Sequence, residues 1–294
     1  MNQSKEQYAI GAILALDTAT SVIACAIVDD NTTLAEQQTI AHRSHSVYAV
    51  SHVQQLLETS SLQGTDLAAI VIGIGPGSYT GVRVAVSAGK TLAYAWKKPL
   101  VTVSTLAALA WGGWSVGQQN SLDDNSSSTK QSLHWVIPLM DARRGQVYTA
   151  AYEAKGTARI ALDRAESGSY ITRLEQSAWH AWQPDAVLLM EQWIEVLTER
   201  AEQVIGEDEV ELHLWFVGEL DVHLASLEQV QELLQRKGIV VHIQSFLLDG
   251  RYLAELGHWH MQQGEAVHEG MAIHTVAPNY AQLTEAEVNL QKKL

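Results

Sequence analysis

A chain of 294 residues with 47% apolar residues can bury a substantial core, in one large domain or two lobes. A net charge of −14 and a pI near 5.2 exclude the basic footprint of a protein that grips nucleic acid directly. Work on RNA would need a cationic surface from elsewhere. The single cysteine, Cys25, excludes an internal disulfide and fits a reducing compartment.

Cys25 sits between Ile23-Ala24 and Ala26-Ile27, the setting of a buried strand thiol rather than a nucleophile. No apolar run reaches the roughly 20 residues of a membrane helix. Ala9–Leu16 is too short for a signal segment, with Glu6 in its flank and Asp17 at its end. The expectation is a cytoplasmic protein.

In chain order, Ile13–Leu16 reads as a buried strand ending in Asp17, followed by the hydroxyl-rich turn Thr18-Ala19-Thr20-Ser21. Val22–Val28 and Thr33–Ile40 continue as strands around Asp29-Asp30-Asn31, making an antiparallel meander. From Ser46 the period changes: Val47, Val50, Val53 and Leu57 recur at helical spacing, with Ser44 or Ser46 as cap. Ile70-Val71-Ile72 is a fourth strand, broken at Gly73 and at Gly75-Pro76-Gly77, and Ser78 then caps a helix running from Thr80 to Trp96. Pro99 closes that helix, Leu100–Val103 is a fifth strand, and an Ala/Leu-rich helix follows Ser104. The order βββ-α-β-α-β-α is the half-unit of a ribonuclease-H-like lobe.

Ser115–Ser132 is almost devoid of apolar residues and reads as a solvated segment at a lobe seam, dividing residues 1–110 from 134–294 with a polar insert at 111–133. Beyond it, His134–Met140 and Gln146–Tyr152 read as strands. Gln192–Ile205, Leu224–Arg236 and Leu253–Gln263 read as helices, alternating with strands Leu212–Val217 and Ile239–Ile243. The tail Ala277-Pro278-Asn279-Tyr280 is irregular, and no solenoid repeat is visible.

The strand, glycine turn and helix from Ile70 to Trp96 gather backbone N–H groups at a helix N-terminus, a geometry that suits a phosphate. Candidate phosphate or nucleotide contacts are Asp17, Thr18, Gly75, Gly77 and Ser78. The turn nevertheless fails the dinucleotide fingerprint, because Thr80 stands where the third glycine belongs. Gly89-Lys90-Thr91 fails the P-loop, because Val84 stands at its first glycine and the triplet lies inside a helix. Asp17 could hold Mg²⁺-phosphate through water, or cap its own turn. Ala85, Gly89 and Ala93 form a stripe of small residues that admits close packing, against the chain's own sheet or against a partner helix. Among twelve histidines the close pairs His42/His45 and His258/His260 lack further ligands at metal spacing, so no metal site is expected.

Leu14–Ala19, Gly73–Arg83 (GIGPGSYTGVR), Lys98–Leu106 and Asp141–Tyr148 together resemble the TsaB (YeaZ) family, densely from Ile13 to about Ala110 and weakly from Glu153 to Val210. The tail Pro278-Asn279-Tyr280 is similar to the family's closing P-x-Y, with Ala281-Gln282 in place of the usual Leu-Arg. The resemblance implies a two-lobed actin/hexokinase-like fold, each lobe a mixed sheet flanked by helices. The last helix would pack back on the N-terminal lobe. It also implies a non-catalytic subunit that pairs with TsaD, joined by the ATPase TsaE, to make N6-threonylcarbamoyladenosine at position 37 of tRNAs reading codons that begin with A. The tRNA would be met only indirectly and no membrane would be involved. No cofactor would be required, with ATP or ADP entering only in the complex.

Pairing would use the first two helices, through Val47, Val50, Gln54, Tyr79, Val82, Ala85, Val86, Gly89 and Ala93, and a homodimer would form through them without TsaD. TsaD carries an H-x-x-x-H metal motif where this chain has Thr105 and Leu109, so the catalytic metal is not expected. The alternatives are a nucleotide-binding ATPase or kinase of the same superfamily, and a peptidase-like protein.

Overall fold

The computed structural model describes residues 11–30, 32–40, 45–121, 131–155, 179–205 and 210–281. β1 (Ile13–Asp17) is buried at all its positions because β2 and β4 flank it and helices cover both faces. β2 (Val22–Asp29) returns antiparallel, placing Asp17 opposite Ala24, and β3 (Thr32–Ile40) forms the edge with one face wet. α1 (His45–Ser60), β4 (Ala69–Gly73), α2 (Tyr79–Trp96) and β5 (Leu100–Val103) then lay two strands parallel to β1. α2 stops at Lys97, which adopts a left-handed conformation and donates its N–H to the carbonyls of Ala93 and Tyr94.

The second half repeats this plan. β6 (Gln131–Arg143), β7 (Gln146–Lys155) and β8 (Trp179–Leu189) form a meander. α4 (Met190–Ile205), β9 (Val210–Gly218), α5 (Leu224–Gln235) and β10 (Val240–Ser245) add two parallel strands. The sheet orders, β5-β4-β1-β2-β3 and β10-β9-β6-β7-β8, are therefore equivalent. This is the two-lobed actin/hexokinase-like architecture, each lobe a mixed sheet flanked by helices.

Two helices join the lobes by crossing over. α3 (Thr105–Ser121) packs on β6 and β9 of the second sheet, and α6 (Gly250–Gln263) packs on β1 and β2 of the first. The largest core therefore lies between the sheets, with Trp111 and Trp114 from α3 against Trp179, Tyr152 and Trp215. After α6 the chain returns to the first lobe, where β11 (Val267–His268) pairs with β5 and a short 3₁₀ helix (Gly270–Thr275) packs on α2.

The expected boundaries at the seam need correction. Residues 111–121 belong to α3, and Gln131-Ser132 already belong to β6, so the polar insert is not a separate unit; 122–130 lie outside the described residues. Polarity misled because Ser115 is buried with its hydroxyl donating to its own helix carbonyl at Trp111 (2.7 Å), and Gly117 lets the helix approach Trp215. β8, β11 and the 3₁₀ helix are additional to the expected elements, and α6 starts three residues before Leu253, capped by the Asp249 side chain.

Candidate functional site

The Asp17 turn and the glycine turn do meet. Asp17 and Thr18 stand at the end of β1, and Gly75, Gly77 and Ser78 stand beside them between β4 and α2. Their polar groups, however, satisfy one another. Asp17 Oδ1 accepts the Ala19 N–H (2.6 Å) and Oδ2 accepts the Thr105 hydroxyl (2.6 Å). The Thr18 hydroxyl donates to the Gly81 carbonyl (2.6 Å), the Ser78 N–H to the Ala19 carbonyl (2.7 Å), and the Gly75 N–H to Thr105 Oγ1 (3.1 Å). Ser78 Oγ caps α2 by accepting the Gly81 N–H (3.3 Å).

Asp17 has no exposed surface, and burial pushes its carboxyl up to about 6 against the pull of the Thr105 and Ala19 hydrogen bonds. Gly73 leaves no more than room for it: a Cβ there would overlap the carboxylate. Gly77 is likewise closed by the Ala19 carbonyl. Asp17, Thr18 and Gly75 are thus buried and engaged in bonds that tie the two turns together, while Gly77 is half-buried and Ser78 exposed at the turn's outer side. Cys25, beside β1, is fully buried, and burial with the Asp17 charge pushes its thiol up to about 12.

α2 presents two faces. Val82, Ala85, Val86, Gly89 and Ala93 are all buried, Val82, Val86 and Ala93 in one cluster with Ile70, Ile72 and Leu100 of the sheet and Ile273 and Val276 of the returning tail. A Cβ at Gly89 would overlap Ile72 and lie 3.3 Å from Leu100 Cδ1. Val82, Ala85, Gly89 and Ala93 are thus core residues rather than exposed contacts, whereas Val86, though buried, lines the larger groove described below. A helix needs a small residue wherever a neighbour comes close, and at Gly89 the neighbours are the Ile72 side chain of β4 and the Leu100 side chain of β5. The outward face instead carries Tyr79, Thr80, Arg83, Ser87, Thr91 and Tyr94, all exposed. Of the α1 candidates, Val50 (56% exposed) and Gln54 face solvent, Gln54 donating to Glu58 Oε1 (2.9 Å); the side chain of Val47 lies outside the described residues.

Two grooves flank that outward face. One, of about 530 Å³, runs between α1 and α2 from Val50 to Leu92 over Val84 and Ala88. The other, of about 780 Å³, lies between α2 and the returning tail, with Tyr79, Arg83, Lys90 and Tyr94 facing His274, Val276 and Tyr280. No carboxylate lines either groove among the described residues, although the chain as a whole carries −14.

The chain is 31% identical to the tRNA threonylcarbamoyladenosine biosynthesis protein TsaB of Bacillus subtilis over 277 residues, covering 94% of this chain and 96% of that protein. The chain belongs to the TsaB family. It is also 32% identical to Escherichia coli TsaB over 195 residues, 66% of this chain and 68% of that one. A family model described as TsaD, tRNA N6-adenosine threonylcarbamoyltransferase, matches residues 31–174. The solved structure of YeaZ from Pseudomonas aeruginosa shares the fold, with a TM-score of 0.59 at 22% identity over 92% of this chain and 99% of that one.

Thr105 and Leu109, the two α3 positions singled out in the sequence, are both engaged inside the fold. Thr105 spends its hydroxyl on Asp17, and Leu109 is buried against Gly218. Among the described residues no three His, Cys, Asp or Glu side chains are grouped to hold a metal ion; His42 lies outside them. No described helix is long and apolar enough to cross a membrane.

Sequence reasoning missed one polar cluster. Asp185 of β8 accepts the Ser104 hydroxyl on both oxygens (3.0 and 2.8 Å) and the Asn279 amide on Oδ2 (2.9 Å). Burial pushes its carboxyl up to about 6, against hydrogen bonds from Ser104, Asn279 and Tyr152. Ser104 and Asn279 both lie in quoted motifs; Asp185 lies where the resemblance is weak, and no pattern in the sequence ties it to them.

Proposed function

We propose that this chain is the non-catalytic partner of TsaD in forming N6-threonylcarbamoyladenosine at position 37 of tRNAs that read codons beginning with A. TsaE joins the complex as its ATPase, and ATP or ADP is used only there. The observation that carries this reading is the outward face of α2. It is exposed, aromatic and flanked by grooves with apolar floors and, among the described residues, no carboxylate, in a strongly acidic chain. Such a surface suits a partner helix bearing aliphatic side chains and an acidic residue for Arg83.

The kinase or ATPase reading draws less support. Its carboxylate, Asp17, is fully buried and already hydrogen-bonded, so it cannot reach a water-bridged metal without breaking the turn. Without TsaD, a second copy of this chain uses the same α2 face. The tRNA is gripped by the other subunits, since an acidic chain repels phosphate. The lone buried cysteine fits action in the cytoplasm.

The test is size-exclusion chromatography with cognate TsaD, with tRNA modification measured with and without this chain. Wild type should co-elute, and modification should need it. Ser87→Trp, on the exposed face, should abolish co-elution while its thermal unfolding stays that of wild type. Full modification by TsaD and TsaE alone would sink the reading.

A further inference from the structure

The tail that returns from α6 is a strap fastened to both lobes. Lys90 Nζ donates to the carbonyls of His274 (2.8 Å) and Val276 (2.9 Å). Ile273 and Val276 are buried with Ile72, Val86 and Leu100. The Asn279 N–H donates to the Ile74 carbonyl (2.7 Å), and the Tyr280 ring stacks on Tyr79 at 4.9 Å and 25°. All of these fastenings tie the strap to the first lobe. The Asn279 amide on Asp185 Oδ2 (2.9 Å) reaches the second, because Asp185 lies on β8.

Asp185 is half-buried, and no Lys, Arg or His among the described residues pairs with it. A carboxylate drawn out of water without a counter-ion costs free energy that an apolar residue of similar size would not. Its three neutral donors offset part of that cost and fix it in place: Ser104 at the head of α3, Tyr152 on β7 and Asn279 on the strap. What the arrangement supplies is position. One carboxylate sets the start of the crossing helix and the strap against the second lobe, one residue from the stacked Tyr280.

The strap is also the far wall of the larger groove on α2, through His274, Val276 and Tyr280. We propose that Asp185 and Asn279 form an interlobe clasp whose task is to hold this strap, and so the outer wall of the partner groove, in register with α2. Neither residue touches the partner; both act through the strap as positioning residues. This inference rests on the reading that the α2 face binds TsaD.

The test uses the full chain as wild type, Asn279→Ala, Asp185→Asn, and the reciprocal double variant Asp185→Asn with Asn279→Asp. The double variant rebuilds an amide–carboxylate bond with the roles exchanged. Hydrogen–deuterium exchange of the peptide spanning 267–281 reads the strap, and calorimetric titration with TsaD reads the groove. Loss of a hydrogen bond to a charged group should raise strap exchange in Asn279→Ala by about tenfold or more and weaken TsaD binding by about tenfold. The double variant should recover both. Exchange equal to wild type in Asn279→Ala would overturn the clasp. Faster exchange with unchanged affinity would overturn its link to the groove, as would a double variant no better than Asn279→Ala. A wild-type chain that does not bind TsaD would remove the pairing function and this link together, while the exchange data would still decide whether the clasp exists.

Discussion

Gly89→Ala separates the packing role of the small stripe from a partner role. In an isolated helix the change should stabilise by about 1 kcal/mol, because alanine is the better helix former. Here the new methyl group overlaps Ile72 Cγ2 and lies 3.3 Å from Leu100 Cδ1. Ile72 is fully buried and β-branched, so its Cγ2 cannot swing aside without changing χ1. Overpacking of this kind costs about 1–3 kcal/mol, leaving a net loss of about 1–2 kcal/mol once the helix gain is subtracted at the upper part of that range. In a chain of 294 residues that lowers the melting temperature by about 2–4 °C. The mechanism is checked by a double-mutant cycle with Ile72→Ala, which alone should cost about 2–5 kcal/mol through its cavity. Combined, the two should cost less than their sum by about 1 kcal/mol, because the alanine methyl fills part of the space vacated by Ile72. Urea unfolding with an unchanged m-value is the assay. Stabilisation by Gly89→Ala, or strict additivity in the cycle, would refute the packing of α2 on β4 described above.

Three further outcomes follow from the same structure. Asp17→Ala strands the Thr105 hydroxyl and the Ala19 N–H in the core and should cost about 2–4 kcal/mol in chemical denaturation; Asp17→Asn should cost less. A histidine ladder crosses the second sheet. His134 and His242 are held down to about 3 and about 4, chiefly by burial and then by neighbouring histidines, and His213 is lowered by burial. All three are favoured neutral in the fold, so the unfolded chain binds more protons below about pH 6.5. Their contribution is complete above that pH and is lost as pH falls from about 6.5 towards 3. The carboxyls of Asp17, Asp185 and Glu255, raised to about 6, 6 and 7, act in the opposite sense, so the ladder is read from a difference. His134→Gln, which can still accept the Trp215 indole N–H, should flatten the fall in melting temperature between pH 7 and pH 4; parallel curves would remove the ladder as its source. Arg83→Glu reverses the charge between the two grooves and should weaken TsaD binding at least tenfold with unfolding unchanged, an effect that shrinks at high salt. Unaltered affinity would place the partner elsewhere.

Much of the first lobe is legible in the sequence because its signals are local. A continuous apolar run such as Ile13–Leu16 demands cover on both faces, and Gly75-Pro76-Gly77 ends a strand whatever surrounds it, although Gly73, expected to break β4, is its last paired residue. The second lobe repeats the first strand for strand, yet no sequence repeat betrays it, since sheet order is set by backbone pairing that many side-chain patterns satisfy. Ser115 shows how a polar residue enters a core unannounced, its hydroxyl satisfied by its own helix.

The sequence by itself determined that α2 would form after the glycine turn and that something must approach it closely along Ala85, Gly89 and Ala93. It also determined that Asp17 would end a buried strand beside hydroxyls. Only the tertiary structure decided what approaches the stripe and whether the carboxylate is free. Small residues record a short distance without naming the neighbour, and here the neighbour is Ile72 of the chain's own sheet. A carboxylate beside a turn can face water or the core, and the Thr105 hydroxyl, arriving from 88 residues away, completes its hydrogen bonds inside. That long-range packing buried the small stripe and left the outward face of α2, from Tyr79 to Tyr94, exposed.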